Sequence, residues 1–215
     1  MIEKYNHVIW DWNGTIFDDL HLSHDIICRL MEKYGMQTIT LEEYKDYFTI
    51  PVRDYYEKIG FDFEKESFES VGKKWMDEYE RRKFECSLYS GVTDVMEKIS
   101  SLGISQSILS AYSQHTLDEM VNHYGIRGFF KYVMGLDNIY AASKLHLGRK
   151  LIELISTGKE KILLIGDTIH DLEVAHEIGA ECILLSNGHQ SYSKLKEQSA
   201  PYGNITILTS IDNIL

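Results

Sequence analysis

The sequence predicts an α/β protein: a mostly parallel sheet covered by helices on both faces, with a helical insert after the first strand. Three observations predict it. From residue 104 onward, short apolar runs alternate with amphipathic stretches of helical length, the pattern that builds parallel sheets. The run His7-Val8-Ile9-Trp10-Asp11 has the same character but stands alone near the start. Between the two, from Asp18 to about Phe84, the apolar spacing is helical and strand alternation is missing. An insert of roughly 70 residues is a domain-sized unit.

Residues 7–11 are the first strand. Leu20, Ile27, Leu30, Met31 and Tyr34 then fall near helical spacing, and Gly35 stops that helix. Leu41 to Tyr47 forms a second short helix, and Pro51 marks a break. A third helix runs from Val52 to Ile59 and ends at Gly60. The fourth, Glu64 to Phe84, is highly charged, with Phe68, Val71, Trp75, Met76 and Tyr79 as its apolar stripe. After Leu88-Tyr89-Ser90-Gly91 the alternation begins: a helix over 92–102 capped by Gly103, a strand over 104–109, and a helix over 114–124 ended by Gly125. A strand at 131–134, a helix at 144–155 stopped near Gly158, a strand at 161–165 and a helix at 171–178 ended by Gly179 follow. Strands at 181–185 and 205–208 close the series.

Composition limits the function. The chain of 215 residues is 44% hydrophobic, enough for a substantial core, and its net charge is −11. That acidity argues against nucleic acid or an anionic membrane as a partner, since both need a basic face. A small anionic substrate responds to the local field and stays open. Cys28, Cys86 and Cys182 are odd in number, far apart and without C-x-x-C spacing, which predicts neither a disulfide framework nor a zinc site. No basic flank followed by a long apolar stretch opens the sequence, and no apolar run is long enough to span a bilayer. A cytoplasmic protein is expected.

Parallel strands bring their carboxyl ends to one edge, where ligands of open α/β sheets bind. The first strand delivers Asp11 and Asn13 there, followed by Gly14 and Thr15 in a turn. The second delivers Ser110, Lys144 opens the helix after the third, and the fourth ends in Gly166-Asp167 with Asp171 four residues on. Carboxylates gathered at one edge repel one another unless a cation sits among them. A hard divalent ion such as Mg²⁺ suits such a set. A hydroxyl and a lysine suit phosphoryl oxygens, and an aspartate beside a metal can act as a covalent nucleophile.

This set resembles the haloacid dehalogenase superfamily, in its phosphatase-like branch with a helical cap. Asp11-Trp12-Asn13-Gly14-Thr15 sits where the family has D-x-D-G-T. Ser110 and Lys144 match its lone Ser/Thr and lysine, and Gly166-Asp167-Thr168-Ile169-His170-Asp171 matches its G-D-x-x-x-D motif. Leu88-Tyr89-Ser90-Gly91-Val92 resembles the segment returning from the cap. The resemblance implies a Rossmann-like core of residues 1–16 and 88–215, a cap of residues 17–87, and hydrolysis of a small phosphorylated metabolite, as in phosphoglycolate-phosphatase-like enzymes. It implies that Asp11 is nucleophile and Mg²⁺ ligand, and that the Asn13 carbonyl and Asp167 are further ligands. Asp171 would be a ligand through water or a support, and Thr15, Ser110 and Lys144 would hold phosphate.

One position departs from the pattern. Where the phosphatases place an aspartate as general acid/base, this chain has Asn13. An amide orients water but does not exchange protons near neutral pH, and loss of general acid/base catalysis costs about 10²–10⁴-fold. A good leaving group, such as an acyl or aryl phosphate, a proton from His21 or His24, or deamidation of Asn13-Gly14 would each relieve the deficit. The alternatives are a weakened phosphate-binding or regulatory protein, or a phosphonate-cleaving member needing a cap lysine among Lys33, Lys45, Lys58, Lys65, Lys73 and Lys74. Arg53 and Tyr55 are the candidates for a cap loop reaching the site.

Overall fold

The computed structural model describes residues 2–137, 143–155 and 161–215. Its main sheet holds six parallel strands: β1 (His7–Trp10), β4 (Ser105–Ser113), β5 (Tyr132–Leu136), β6 (Ile162–Gly166), β7 (Glu181–Leu185) and β8 (Thr206–Leu208), in the order β5-β4-β1-β6-β7-β8. β1 is central because it is apolar on both faces. Val8 and Trp10 join the core formed with α5 (Val92–Ser101) and α6 (Gln114–His123), whereas Ile9 joins a separate core with α7 (Leu145–Ile155) and α8 (Ile169–Glu177). The alternation follows from the two-residue period of a strand. The predicted stop at Gly158 lies outside the described residues.

Leaving β1, the chain makes a two-residue strand β2 (Phe17–Asp18), which pairs antiparallel with β3 (Ser87–Leu88). Between these strands lie α1 (Leu20–Lys33), α2 (Leu41–Tyr47), α3 (Val52–Lys58) and α4 (Phe68–Arg82). Thr40 starts α2 with a reciprocal capping box to Glu43, which explains why so short a helix has sharp bounds. α1 and α4 pack through Ile26, Ile27, Leu30, Val71 and Tyr79. Of the predicted α4 stripe, Val71 and Tyr79 are buried, while Phe68, Trp75 and Met76 are half-buried.

Three local differences from the sequence reading have plain causes. β4 does not end at Ser110: it runs to Ser113, with a register shift between Leu109 and Ser113 that places Ser110 at an irregularity. α8 begins at Ile169 because Thr168 caps it and Asp171 closes the box. A further helix, α9 (Tyr192–Ser199), follows β7, capped by Ser191. Its polar composition hid its helical face. Among the described residues, no helix is long and apolar enough to cross a membrane.

Candidate active site

The first strand ends in Asp11, whose backbone N–H donates to the Ile165 carbonyl and locks it beside β6. From β6 come Asp167 and, through the first turn of α8, Asp171. One carboxylate oxygen from each of these three buried aspartates lies within 4.8 Å of the others. Lys144, immediately before α7, enters from the other side. Its Nζ donates to Asp11 Oδ1 at 2.5 Å and to the Leu109 carbonyl at 2.9 Å, and pairs with Asp171 Oδ1 at 2.6 Å. Asp11, Lys144, Asp167, Asp171, Ser110 and Asn13 all line one cavity of about 160 Å³.

The electrostatics call for another cation. A single ammonium stands against three buried carboxylates. Burial pushes the Asp11 carboxyl up to about 8, with Asp171 and Asp167 adding to the effect and Lys144 opposing it. Burial likewise pushes Asp167 up to about 6. At Asp171 burial works upward too, but Lys144 and the Thr168 hydroxyl outweigh it and hold the group below its ordinary value. A divalent ion among these oxygens would relieve the repulsion, so the residues fit a metal.

Glycines make this crowding possible. Gly14 has φ +71°, and a Cβ there would collide with Asp167 and with the His189 ring. Gly188 and Gly166 lie as tightly against Asp167 and Asp171. Asp171 Oδ2 accepts from the backbone N–H groups of Asp167 and Thr168, at 3.2 and 3.0 Å, and from Thr168 Oγ1 at 2.7 Å. Asp167 accepts from Thr15 Oγ1 at 3.1 Å and from the His189 N–H at 2.6 Å. Thr15 therefore orients Asp167; it is fully buried and does not line the cavity.

Asn13 has its own partners. Its Nδ2 donates to Asp19 Oδ2 at 2.9 Å and approaches the Tyr79 hydroxyl at 2.7 Å, and that hydroxyl donates to the same Asp19 oxygen at 2.8 Å. Asp19 also accepts from the Gly14 N–H and meets His189 Nε2 at 3.1 Å. Burial works against the carboxylate form of Asp19, but His189, Tyr79 and Asn13 outweigh it and hold the group below its ordinary value. His189 is pushed up to about 9, its burial overcome by Asp19. Asn13 is thus a donor matched to a buried carboxylate.

Sequence reasoning missed Asp19, His189 and Tyr79. His189 follows β7, a fifth strand end on the same edge, and that position was its only signal. The histidines considered instead lie elsewhere: His21 is exposed, and His24 bonds the Ile39 carbonyl at 2.8 Å. Tyr55 lines the cavity, but Arg53 is exposed and paired with Glu57 at 3.1 Å. Among the described residues, no lysine of the insert lines the cavity.

Fold and site together define a hydrolase-type α/β enzyme whose acidic and basic groups meet at the carboxyl edge of the sheet. The family model for haloacid dehalogenase-like hydrolases matches residues 8–185, and the chain belongs to that family. It is an enzyme, a hydrolase of the phosphatase type. It is 23% identical over 201 residues to a 5'-nucleotidase from Pseudomonas aeruginosa, covering 90% of this chain and 88% of that one. It is 22% identical over 180 residues to the pyrophosphatase PpaX of Anoxybacillus flavithermus, covering 82% of this chain and 81% of that one. A haloacid dehalogenase-like hydrolase from Streptococcus pneumoniae superposes with a TM-score of 0.82 at 17% identity, covering 100% of this chain and 98% of that one, which shows the shared fold.

Proposed function

We propose that the chain is a Mg²⁺-dependent phosphatase that cleaves a small phosphorylated metabolite through an aspartyl-phosphate on Asp11. The observation that carries the reading is the meeting of Asp11, Asp167, Asp171 and Lys144 at one buried edge that opens into a cavity. Asp11, the Asn13 carbonyl, Asp167 and Asp171, the last through water or as a support, would hold the ion, which supplies positive charge to the carboxylates and the phosphoryl oxygens. Residues 17–87 act as the cap that closes over the substrate. The tie from Lys45 Nζ to the Ser186 carbonyl at 2.8 Å and that from Lys194 Nζ to the Phe48 carbonyl at 2.6 Å support that role.

The chemistry divides among the chain's own groups. Lys144 holds Asp11 in place and neutralises the incoming phosphoryl group together with Ser110. An Asp11 carboxylate oxygen bonds to phosphorus as the bond to the leaving oxygen breaks, and the electron pair departs on that oxygen. Water then attacks phosphorus, the Asp11 carboxylate leaves, and dihydrogen phosphate carries away both protons of the water. Asn13 orients groups but donates no proton, so release of alkoxides is slow.

A weakened phosphate-binding protein is the second reading, and the capture of the Asn13 amide by Asp19 and Tyr79 favours it. Phosphate release from a panel of phosphoesters tests both. Turnover that vanishes in Asp11→Asn and with a chelator supports the hydrolase. A folded, metal-binding protein inert across the panel supports the binding protein. The reading places the protein in the cytoplasm, supported by three free cysteines, and gives it neither nucleic acid nor membrane as a partner.

A further inference from the structure

The cavity that holds the reacting groups continues under the insert, and its lining changes character there. Phe48, Tyr55, Phe68 and Trp75, with Val52 and Met76, form its upper wall. Phe48 and Tyr55 pack at 5.5 Å between ring centroids, and Trp75 stacks on Tyr79 at 4.9 Å. Both cationic groups lining the cavity near the carboxylates are already engaged: Lys144 with Asp11 and Asp171, and His189 with Asp19. Among the described residues, no arginine lines it.

Resting on the phosphatase reading, we propose that the substrate is an aryl monophosphate: a single aromatic ring esterified directly to phosphate. Two independent features converge on this class. Asn13 offers the leaving oxygen no proton, and a phenolate, unlike an alkoxide, departs without one. The upper wall offers ring faces and edges, against which an aromatic ring packs in offset or edge-on contact. The carboxylates and the rings line one cavity of about 160 Å³, so phosphate and ring would share that space, which suits a small ring better than a nucleoside. Among the described residues the wall also offers no free cation for a second phosphate, so pyrophosphate suits it poorly as well.

In the reaction, an Asp11 oxygen forms its bond to phosphorus as the bond between phosphorus and the aryl oxygen breaks. The electron pair leaves on the phenolate, which takes a proton from solvent after release.

The test compares kcat/KM with Mg²⁺ for 4-nitrophenyl phosphate, phenyl phosphate, cyclohexyl phosphate, acetyl phosphate and pyrophosphate. Acetyl phosphate and pyrophosphate also leave without protonation, so they separate ring recognition from leaving-group ability. The expected result is at least a tenfold preference for 4-nitrophenyl phosphate over acetyl phosphate and pyrophosphate. Trp75→Ala should lower the aryl-to-acetyl ratio about fivefold. Acetyl phosphate or pyrophosphate turned over as well as the aryl esters would overturn the inference while leaving the phosphatase reading intact. If nothing is turned over, the phosphatase reading fails, and calorimetry still decides on the ring. Tenfold tighter binding of phenylphosphonate than of methylphosphonate supports it; equal binding overturns it.

Discussion

The cavity has a charged floor and an aromatic upper wall, and the two are built on opposite physical terms. On the floor, the carboxylates of Asp11, Asp167 and Asp171 each accept from a named donor within 3.2 Å, and glycines press against Asp167 and Asp171. In the wall, rings meet rings: Tyr55 packs edge to face on Tyr44, and Trp75 stacks on Tyr79. Groups that must hold charge are fixed by hydrogen bonds at short range, whereas a surface that selects by shape needs few of them. The floor belongs to a sheet edge whose register is set by parallel pairing on both sides of β1. The wall is carried by α2, α3 and α4, which can differ without disturbing that register. On the proposed reading, chemistry resides in the floor and selectivity in the wall.

The harshest way to break this contrast is to remove charge from the floor. Asp11→Asn should abolish phosphate release, by at least about 10³-fold, and a chelator should do the same to the native protein. Magnesium should also raise the thermal midpoint, because a ligand bound only by the folded state stabilises it by mass action. Lys144→Met should slow turnover about 10²–10³-fold. It should also destabilise the fold by about 3–5 kcal/mol, since it leaves the buried Asp11 and Asp171 carboxylates unpaired; urea unfolding measures that loss. A Lys144→Met protein as stable as the native one would show that the carboxylates had already taken up protons or another cation.

The next effect lies where floor and wall meet. Asn13→Asp alone would set a carboxylate 2.9 Å from Asp19 in place of a donor. Like charges at that distance destabilise, so the single change should lower stability and give little of the missing proton transfer. Asn13→Asp combined with Asp19→Asn exchanges the two groups and keeps one donor facing one acceptor. The pair should recover most of the lost stability and raise turnover of an alkyl phosphate toward 10²-fold. A double-mutant cycle in stability and in kcat checks it, and simple additivity would deny that the two residues act as a unit.

How much of this was legible in the sequence depends on the range of the interactions. α2 at 41–47 and β7 at 181–185 match their sequence bounds because a capping box and a short apolar run set them locally. Asp11, Asn13, Lys144 and Asp167 were legible because parallel topology brings every strand end to one edge. β2 and β3 were not legible, since two-residue strands have no periodicity. Asp19 and His189 were not either. They lie 170 residues apart, and each looks like an ordinary polar residue until the other is placed beside it. The Thr15 hydroxyl was expected on phosphate, but the path of the turn aims it at Asp167, a direction that spacing alone does not encode.

The smallest expected effect comes from the other end of β1, and it separates burial from convergence. His7 is as buried as the site residues, at 4% exposure, and its Nε2 meets Ser107 Oγ at 3.0 Å, with no carboxylate paired to it among the described residues. Burial, reinforced by the charge of Lys131, pushes its imidazole down to about 4. The unfolded chain, with an ordinary histidine near 6.5, therefore binds the proton first. The stability tied to neutral His7 is complete above about pH 6.5 and declines as pH falls toward 4, by at most about 1.4 kcal/mol per pH unit. His7→Gln should flatten that part of the stability–pH curve, measured by urea midpoints at pH 5 and 7, and should leave kcat/KM at pH 7 within about twofold. If His7→Gln instead cost turnover as the floor substitutions do, burial along β1 would matter to the chemistry in itself, and the separation between a reacting edge and its supporting sheet would fail.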